Sequence, residues 1–404
     1  MDTDKRKGTN TVFKTVMTII ATSIITFVIT TTLLYSQGGK KDTETVIGDA
    51  AKSGKLSAKL SIIRNKIDSE YVGNINEDDL IEGAVKGYVS GLNDVYTEYL
   101  TVAEMTEFTE DTTGEYVGIG VYMTKDTANN QILIYSTIKD SPAQKVGLMT
   151  GDIIVSVDDE ECNGDNYDTI TSKIKGKEGT KVKIGIIREQ KEMTFEIERK
   201  KIEVQHITSE VLENDIGYIY ISSFEGNVAT QFEKAFNELK EKRIKSLIID
   251  IRNNGGGIVT ESLDIADMMT GKEENLLIEL DKNGKEEIKK SKKDKQIDMP
   301  IVLLVNEYSA SASEILAGIL KENVENATLI GNTTYGKGVI QTLYTLSDNS
   351  GIKITTNEYF TPNHNKINKI GVEPDIKITD YTFTGDIDIE DDSQLKKAIE
   401  TLKK

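Results

Sequence analysis

The stretch "PIVLLVNEYSASASEILAGILKEN", Pro300 to Asn323, decides the architecture. Ile301 to Val305 are all apolar, and a strand without polar alternation is normally buried on both faces by helices. The residues from Ser309 onward then read as a helix. The junction places the small hydroxyl residues Ser309, Ser311 and Ser313 at a strand-to-helix turn, where backbone N–H groups lack helical partners. That is a good place for a nucleophile. A plainer reading fits as well, because Ser311 and Glu314 spell the S-x-x-E capping box of a helix start.

Moving outward, the same α/β grammar recurs on both sides: "IGYIYISSF" from Ile216, a helix through "ATQFEKAFNELKEK", the apolar strand "SLIIDI", and later "ATLIG". A charged loop is expected near Asp281 to Lys295, and a closing helix in "DDSQLKKAIETLKK", where Leu395, Ile399 and Leu402 share a face. "IIDIRNNGGG" ends a strand in Gly255 to Gly257, where the backbone can approach a ligand and present N–H donors to a developing oxyanion. "GNTTYGKGVIQ", Gly331 to Gln341, spells GxxxxGK. Gly338, however, stands where a phosphate loop needs a magnesium-binding Ser or Thr, and "VIQTLYTL" continues as a strand rather than a helix. Nucleotide binding is therefore set aside. A lysine flanked by Gly336 and Gly338 between apolar runs can be desolvated and held neutral, which makes Lys337 a candidate general base. On a strand Lys337, Val339 and Gln341 face one side. Gln341 can then orient the amine if Gly338 supplies a bend, since four extended residues span about 13 Å.

The rest of the composition narrows the classes. His206 and His364 are the only histidines, and neither has a partner at ligand spacing, so neither a histidine base nor a structural metal is expected. No cofactor is called for. Cys162 is the only cysteine, which excludes an internal disulfide. The net charge is −18, and beyond the first 34 residues it is −20, which repels nucleic acid. Residues 15–34, "TVMTIIATSIITFVITTTLL", carry no charge over a bilayer's width and read as a retained transmembrane anchor; a cleaved signal is the competing reading, but no A-x-A site follows. Lys5, Arg6, Lys7 and Lys14 precede the span, so the N-terminus is expected in the cytoplasm and everything after Tyr35 outside it.

After a polar linker near Ser36 to Gly54, Leu60, Ile63, Ile67 and Tyr71 mark an amphipathic helix, and "DDLIEGAVKGYVSGL" a second. From Gly114 to about Lys200 short β-like runs follow, "YVGIGVYM", "QILIYSTI", "DIIVSVDD", "KVKIGII" and "MTFEIERK", interrupted by the helical "NYDTITSKIKG". Successive amides around Gly118, Ile119, Gly120 and Val121 can form a nest for a chain-terminal carboxylate while the peptide adds as a strand.

Taken together, "SASASEILAG", "GKGVIQ", "DIRNNGGG" and "GVEPDI" resemble the carboxy-terminal processing, or tail-specific, serine proteases with an embedded PDZ domain, over Leu56 to Ile378. The resemblance implies Ser311 as nucleophile, Lys337 as base, Gln341 as its helper, and the amides of Ala312 and Gly256 as oxyanion donors. "YVGIGV" and "SPAQKVGLMTGDIIVSVDDEE" are similar to the PDZ module of that family. Gly255 stands where the family has proline and Tyr335 where it has phenylalanine, and the Ser-to-Lys interval of 26 residues looks one longer than common. Glu322 is the acidic residue nearest to one that some members carry on the helix after the serine, and it is left unassigned. The expected fold is multidomain α+β, with an α/β serine protease core, an inserted mostly-β PDZ domain, N- and C-terminal helices and an N-terminal transmembrane helix. The expected boundaries are a cytoplasmic tail (1–14), the anchor (15–34), a linker and helical region (35–112), the PDZ domain (113–200), the Ser-Lys core (201–378) and a tail with a helix (379–404). The partners implied are protein or peptide substrates with exposed C-termini, the membrane and a second copy in a homodimer. The alternative is a catalytically silent, membrane-tethered PDZ scaffold.

Overall fold

The computed structural model describes residues 43–383 and 391–403. The expected cytoplasmic tail and anchor lie outside them, and no helix among the described residues is long and apolar enough to cross a membrane. The chain divides between Asp79 and Leu80 into two units. In the first, α1 (Thr43–Glu70) begins inside the stretch expected to be a polar linker. The reason is composition: Thr43 to Lys59 holds Ala, Glu and Lys and no proline, which favours helix without an apolar stripe. The i,i+4 pairs Arg64–Asp68 at 2.9 Å and Lys66–Glu70 at 3.0 Å support its exposed surface. Helix α2 (Glu77–Ser90), with Glu77, Asp78 and Asp79 in its first turn, crosses the division.

The second unit continues with β1 (Glu98–Leu100) and α3 (Val102–Thr113), which starts on a Thr101/Glu104 capping box. The next strands are β2 (Glu115–Gly118), β3 (Val121–Asp126) and β4 (Gln131–Thr137), followed by α4 (Pro142–Val146), β5 (Ile153–Val157), β6 (Glu160–Glu161), α5 (Tyr167–Ile174), β7 (Lys181–Arg188) and β8 (Lys191–Glu198). Then come β9 (Lys200–Glu203), β10 (Ile207–Leu212), β11 (Ile216–Ile221), α6 (Val228–Glu241), β12 (Ser246–Asp250), α7 (Val259–Asp267), β13 (Asn275–Asp281) and β14 (Glu286–Lys290). The chain ends with β15 (Ile301–Val305), α8 (Ala312–Asn323), β16 (Ala327–Gly331), β17 (Val339–Thr345), β18 (Gly351–Phe360), β19 (Ile376–Lys377) and α9 (Ser393–Leu402).

The wholly apolar strands do what their sequence demands. They form the centre of a six-stranded sheet ordered β10-β11-β12-β15-β16-β19, parallel from β11 onward. Leu247, Ile249, Leu303 and Val305 point to one face, packed with Phe232, Phe236, Ile265 and Leu316 from α6, α7 and α8. Ile248, Val302 and Leu304 point to the other, where Leu395, Ala398 and Ile399 of α9 cover them. The segment read as a tail thus supplies a layer of the core.

A second sheet is built around β18, which pairs β17, β1 and β13, with β14 beyond β13. Here the expected charged loop is corrected: Asp281 to Lys295 contains β14, joined to β13 by a turn with Gly284 at φ 77°. Glu286, Glu287, Lys289 and Lys290 put charge along this edge strand, which guards against edge pairing. The inserted module is a sheet ordered β3-β4-β5-β7-β8 over its own core of Ile132, Ile154, Ile170, Ile184 and Ile197. Both connections to it pass through the two-stranded β2–β9 ribbon.

Candidate active site

Three serines stand at the β15–α8 junction, and hydrogen bonding separates them. Ser309 Oγ donates to the Ile251 carbonyl at 2.8 Å, and Ser313 Oγ donates to the Asn254 carbonyl at 2.9 Å; both side chains are fully buried. Ser311 alone faces a cleft. Its backbone adopts φ 58°, ψ −115°, a conformation L-residues avoid, and such strain persists only where surrounding contacts impose it. Glu314 imposes it in part by accepting the Ser311 N–H at 2.9 Å, while the Glu314 N–H is taken by the Ser311 carbonyl at 2.8 Å.

Glu314 also reaches the lysine loop. Its carboxylate accepts Thr334 Oγ1 at 2.6 Å, the Gly336 N–H at 2.7 Å and the Lys337 N–H at 2.8 Å. Burial raises its pKa above the usual value, while the hydrogen bonds pull it down. Tyr359, buried on β18, sets its hydroxyl between the carbonyls of Ser311 at 3.1 Å and Lys337 at 2.5 Å. The "GVEPDI" turn locks the loop from behind, with the Val372 N–H on Thr334 Oγ1 at 2.7 Å. Sequence reading gave Glu314 a capping role only and passed over Tyr359. Their partners lie 20 to 48 residues away along the chain, beyond any local pattern.

Ser311, Lys337 and Gln341 line one cleft of about 470 Å³, with Gly255, Gly257, Val259, Phe108 and Lys353. No histidine is among its lining residues. His206 is buried elsewhere beside Ser222, and His364 is exposed near Glu286. Lys337 is held below the ordinary lysine pKa by burial and by the charge of Lys353, while Glu314 opposes them. Its ammonium lies over the Tyr96 ring, 4.8 Å from the centroid. Among the described residues no hydrogen bond joins Lys337 to Ser311 or to Gln341. Gln341 Nε2 instead donates to Thr355 Oγ1 at 3.2 Å, because β17 pairs with β18 and sets these two opposite each other.

The glycine turn approaches the serine closely. Gly256 has φ 107°, and a Cβ there would lie 2.8 Å from Ser311 Cβ and 3.1 Å from the Ala312 nitrogen. Its N–H is engaged, donating to Asn254 Oδ1 at 2.9 Å, so this amide is not free as an oxyanion donor in the present conformation. The Ala312 N–H has no acceptor among the described residues and sits in the first turn of α8. Glu322 lies outside this arrangement, accepting Thr361 Oγ1 and the Asn363 N–H at 2.6 and 2.7 Å.

In the inserted module Gly118 ends β2, Ile119 is buried and Gly120 has φ 80°, with Ser141 Cβ only 2.4 Å from where its own Cβ would be. The Ile119 and Gly120 carbonyls accept the Ala143 and Ile138 N–H groups, which fixes the turn. Val121 then opens β3, an edge strand of its sheet. Tyr167 on α5 donates its hydroxyl to the Met123 carbonyl of β3 at 3.0 Å, which ties the helix to the edge strand.

Comparison with known proteins agrees with this arrangement. Residues 215–378 match Peptidase family S41, residues 116–198 a PDZ domain, and residues 19–103 the activating protease CtpB N-terminal domain. The carboxy-terminal processing protease CtpA of Bacillus subtilis (strain 168) is 34% identical over 347 residues, which cover 83% of this chain and 74% of that protein. CtpB of the same organism is 33% identical, covering 83% and 71%. A probable CtpA-like serine protease of Staphylococcus haemolyticus (strain JCSC1435) is 35% identical, covering 79% and 64%. Among solved structures, the photosystem II D1 C-terminal processing protease aligns at 27% identity and a TM-score of 0.47, over 78% of this chain and 86% of that one. With an S41 core, an embedded PDZ domain and relatives matched at this identity over more than two thirds of their length, the chain belongs to the carboxy-terminal processing serine proteases of peptidase family S41.

Proposed function

We propose that the chain is a membrane-anchored endopeptidase that takes hold of exposed protein C-termini on its PDZ module and cleaves peptide bonds at Ser311. Neutral Lys337 takes the hydroxyl proton as Ser311 attacks the scissile carbonyl, and returns it to the leaving amine as the acyl-enzyme forms. Water then hydrolyses the acyl-enzyme with the same lysine as base. Gln341 steadies the lysine once its amide leaves Thr355. The Ala312 amide stabilises the oxyanion, joined by Gly256 once that amide exchanges Asn254 for the substrate oxygen. The peptide's terminal carboxylate rests on the amides from Gly118 to Val121, with its strand laid along β3.

One observation carries the reading: of the three serines at the junction, only the one with the strained backbone shares a cleft with a lysine whose charge is disfavoured. Residues 15–34 would tether the protein with its catalytic region on the extracytoplasmic side. The exposed Leu60, Ile63 and Tyr71 suit a homodimer through the N-terminal helices. The test is labelling by a fluorophosphonate together with cleavage of an unstructured protein. Wild type is expected to label and cleave, and Ser311→Ala and Lys337→Ala to do neither while keeping native circular dichroism. A Lys337→Ala protein with full activity overturns the mechanism.

A further inference from the structure

The cleft contains a second lysine that the reaction as described does not use. Lys353 lies on β18 and is directed into the cleft by register: it shares a face with Thr355, two residues on, which holds Gln341. Its stem is fixed. The ammonium pairs with Glu98 of β1 at 2.5 Å and lies 5.3 Å from the centroid of the Phe108 ring on α3. Phe108, Lys353, Lys337 and Ser311 all line the same 470 Å³ space.

We propose that Lys353 is a positioning residue for the peptidase reaction, setting the charge state of Lys337 by fixing a second positive charge in the same cleft. The inference rests on Lys337 being the base. Two like charges in one cleft disfavour each other, and a neighbouring cation is an established way to keep a lysine amine neutral. The direction agrees with the lowering of Lys337, for which the Lys353 charge is a cause second to burial.

Apart from the burial they impose, the other groups around Lys337 do not add to that lowering. Tyr96, from the segment before β1, offers its ring face, which favours the ammonium. Glu314 of α8 also favours it. Tyr335 on the same loop carries no formal positive charge, burial pushes the Tyr359 phenol up, and Glu225 on the cleft wall is raised above the usual carboxylate value by burial. Lys353 is thus the cation set against these groups, and Glu98 is its regulator: it attenuates the Lys353 field by pairing with it.

The experiment is the rate of Ser311 labelling by a fluorophosphonate as a function of pH in wild type, Lys353→Met, Lys353→Arg, Glu98→Gln and Lys337→Met. Lys353→Met is expected to move the rising limb to higher pH by roughly half to one unit, with the high-pH plateau recovered. Glu98→Gln moves it to lower pH by unmasking Lys353, and Lys353→Arg leaves it in place. The opposed directions cannot come from loosened packing. Unchanged midpoints in both Lys353→Met and Glu98→Gln, with or without a uniform loss of rate, overturn the proposal. If Lys337→Met labels like wild type, the base assignment fails first; if it is inert while the midpoints stay fixed, only the Lys353 proposal fails. Should Lys353→Met not fold, Glu98→Gln decides alone.

Discussion

At the scale of single residues, Lys337 carries the cost of a desolvated charge together with the role proposed for it. Its ammonium is partly buried, and its pKa is lowered from 10.5, first by that burial. Between the lowered native value and 10.5 the unfolded chain binds more protons at this position than the folded one, so stability contributed here rises with pH. A Lys337→Met protein lacks that gain. In paired thermal melts at increasing pH, the melting temperature of wild type minus that of Lys337→Met is expected to climb through the alkaline range. A difference that stays flat would mean the amine is not desolvated. Glu314 and Tyr359 matter for another reason: each touches both the serine turn and the lysine loop, so Ser311 and Lys337 are held by shared partners.

At the scale of elements, α9 shows how a short amphipathic segment becomes indispensable. Leu395 and Ile399 are buried against Ile248, Val302 and Leu304. Truncating Leu395 to Ala should destabilise by about 2–5 kcal/mol through lost burial and the cavity left behind, read as a lower denaturant midpoint with unchanged slope. A loss below about 0.5 kcal/mol would show that the helix is not part of the core. The apolar strands β12 and β15 were legible because nothing in them alternates, and the helices α6, α8 and α9 because their apolar spacing is helical. Helix α7 escaped notice because Ile258, at its start, provides no side-chain cap. Strand β18 was missed because Lys353, Thr355 and Asn357 interrupt its apolar signal. Those polar residues are there to line a cleft or meet another strand, and only the pairing shows which. Likewise Ser311, Lys337 and the glycine turn could be picked out by type and context. The occupied Gly256 amide and the Gln341–Thr355 bond depend on register, which local sequence does not contain.

At the scale of the whole molecule, a binding module is inserted into a hydrolase with both connections side by side in the β2–β9 ribbon. The edge of β3 and the turn from Gly118 to Val121 suit a free chain end. In fluorescence polarisation, a peptide with a terminal carboxylate is expected to bind at least tenfold more tightly than its C-terminal amide, since the amide loses the charge that the nest recognises. Equal affinity would place recognition elsewhere. The body's acidity, −18 over the chain, further suits a surface that handles protein tails rather than polyanions.

Arg252 sits at the end of β12, two residues before Asn254, which holds the Gly256 amide. Its guanidinium is buried between Asp250 at 2.6 Å and Asp392 at 2.7 Å, under the Phe383 ring. A polypeptide emerging from the ribosome therefore presents Ser311 and Lys337 before Asp392, which follows Lys337 by roughly 190 Å of extended chain. Until then, one carboxylate is missing from the arginine and one face of the sheet is bare. Synthesis itself therefore separates the two events: a growing chain carries Ser311 and Lys337 before it carries the carboxylate and the helix that complete the packing on that side of the sheet.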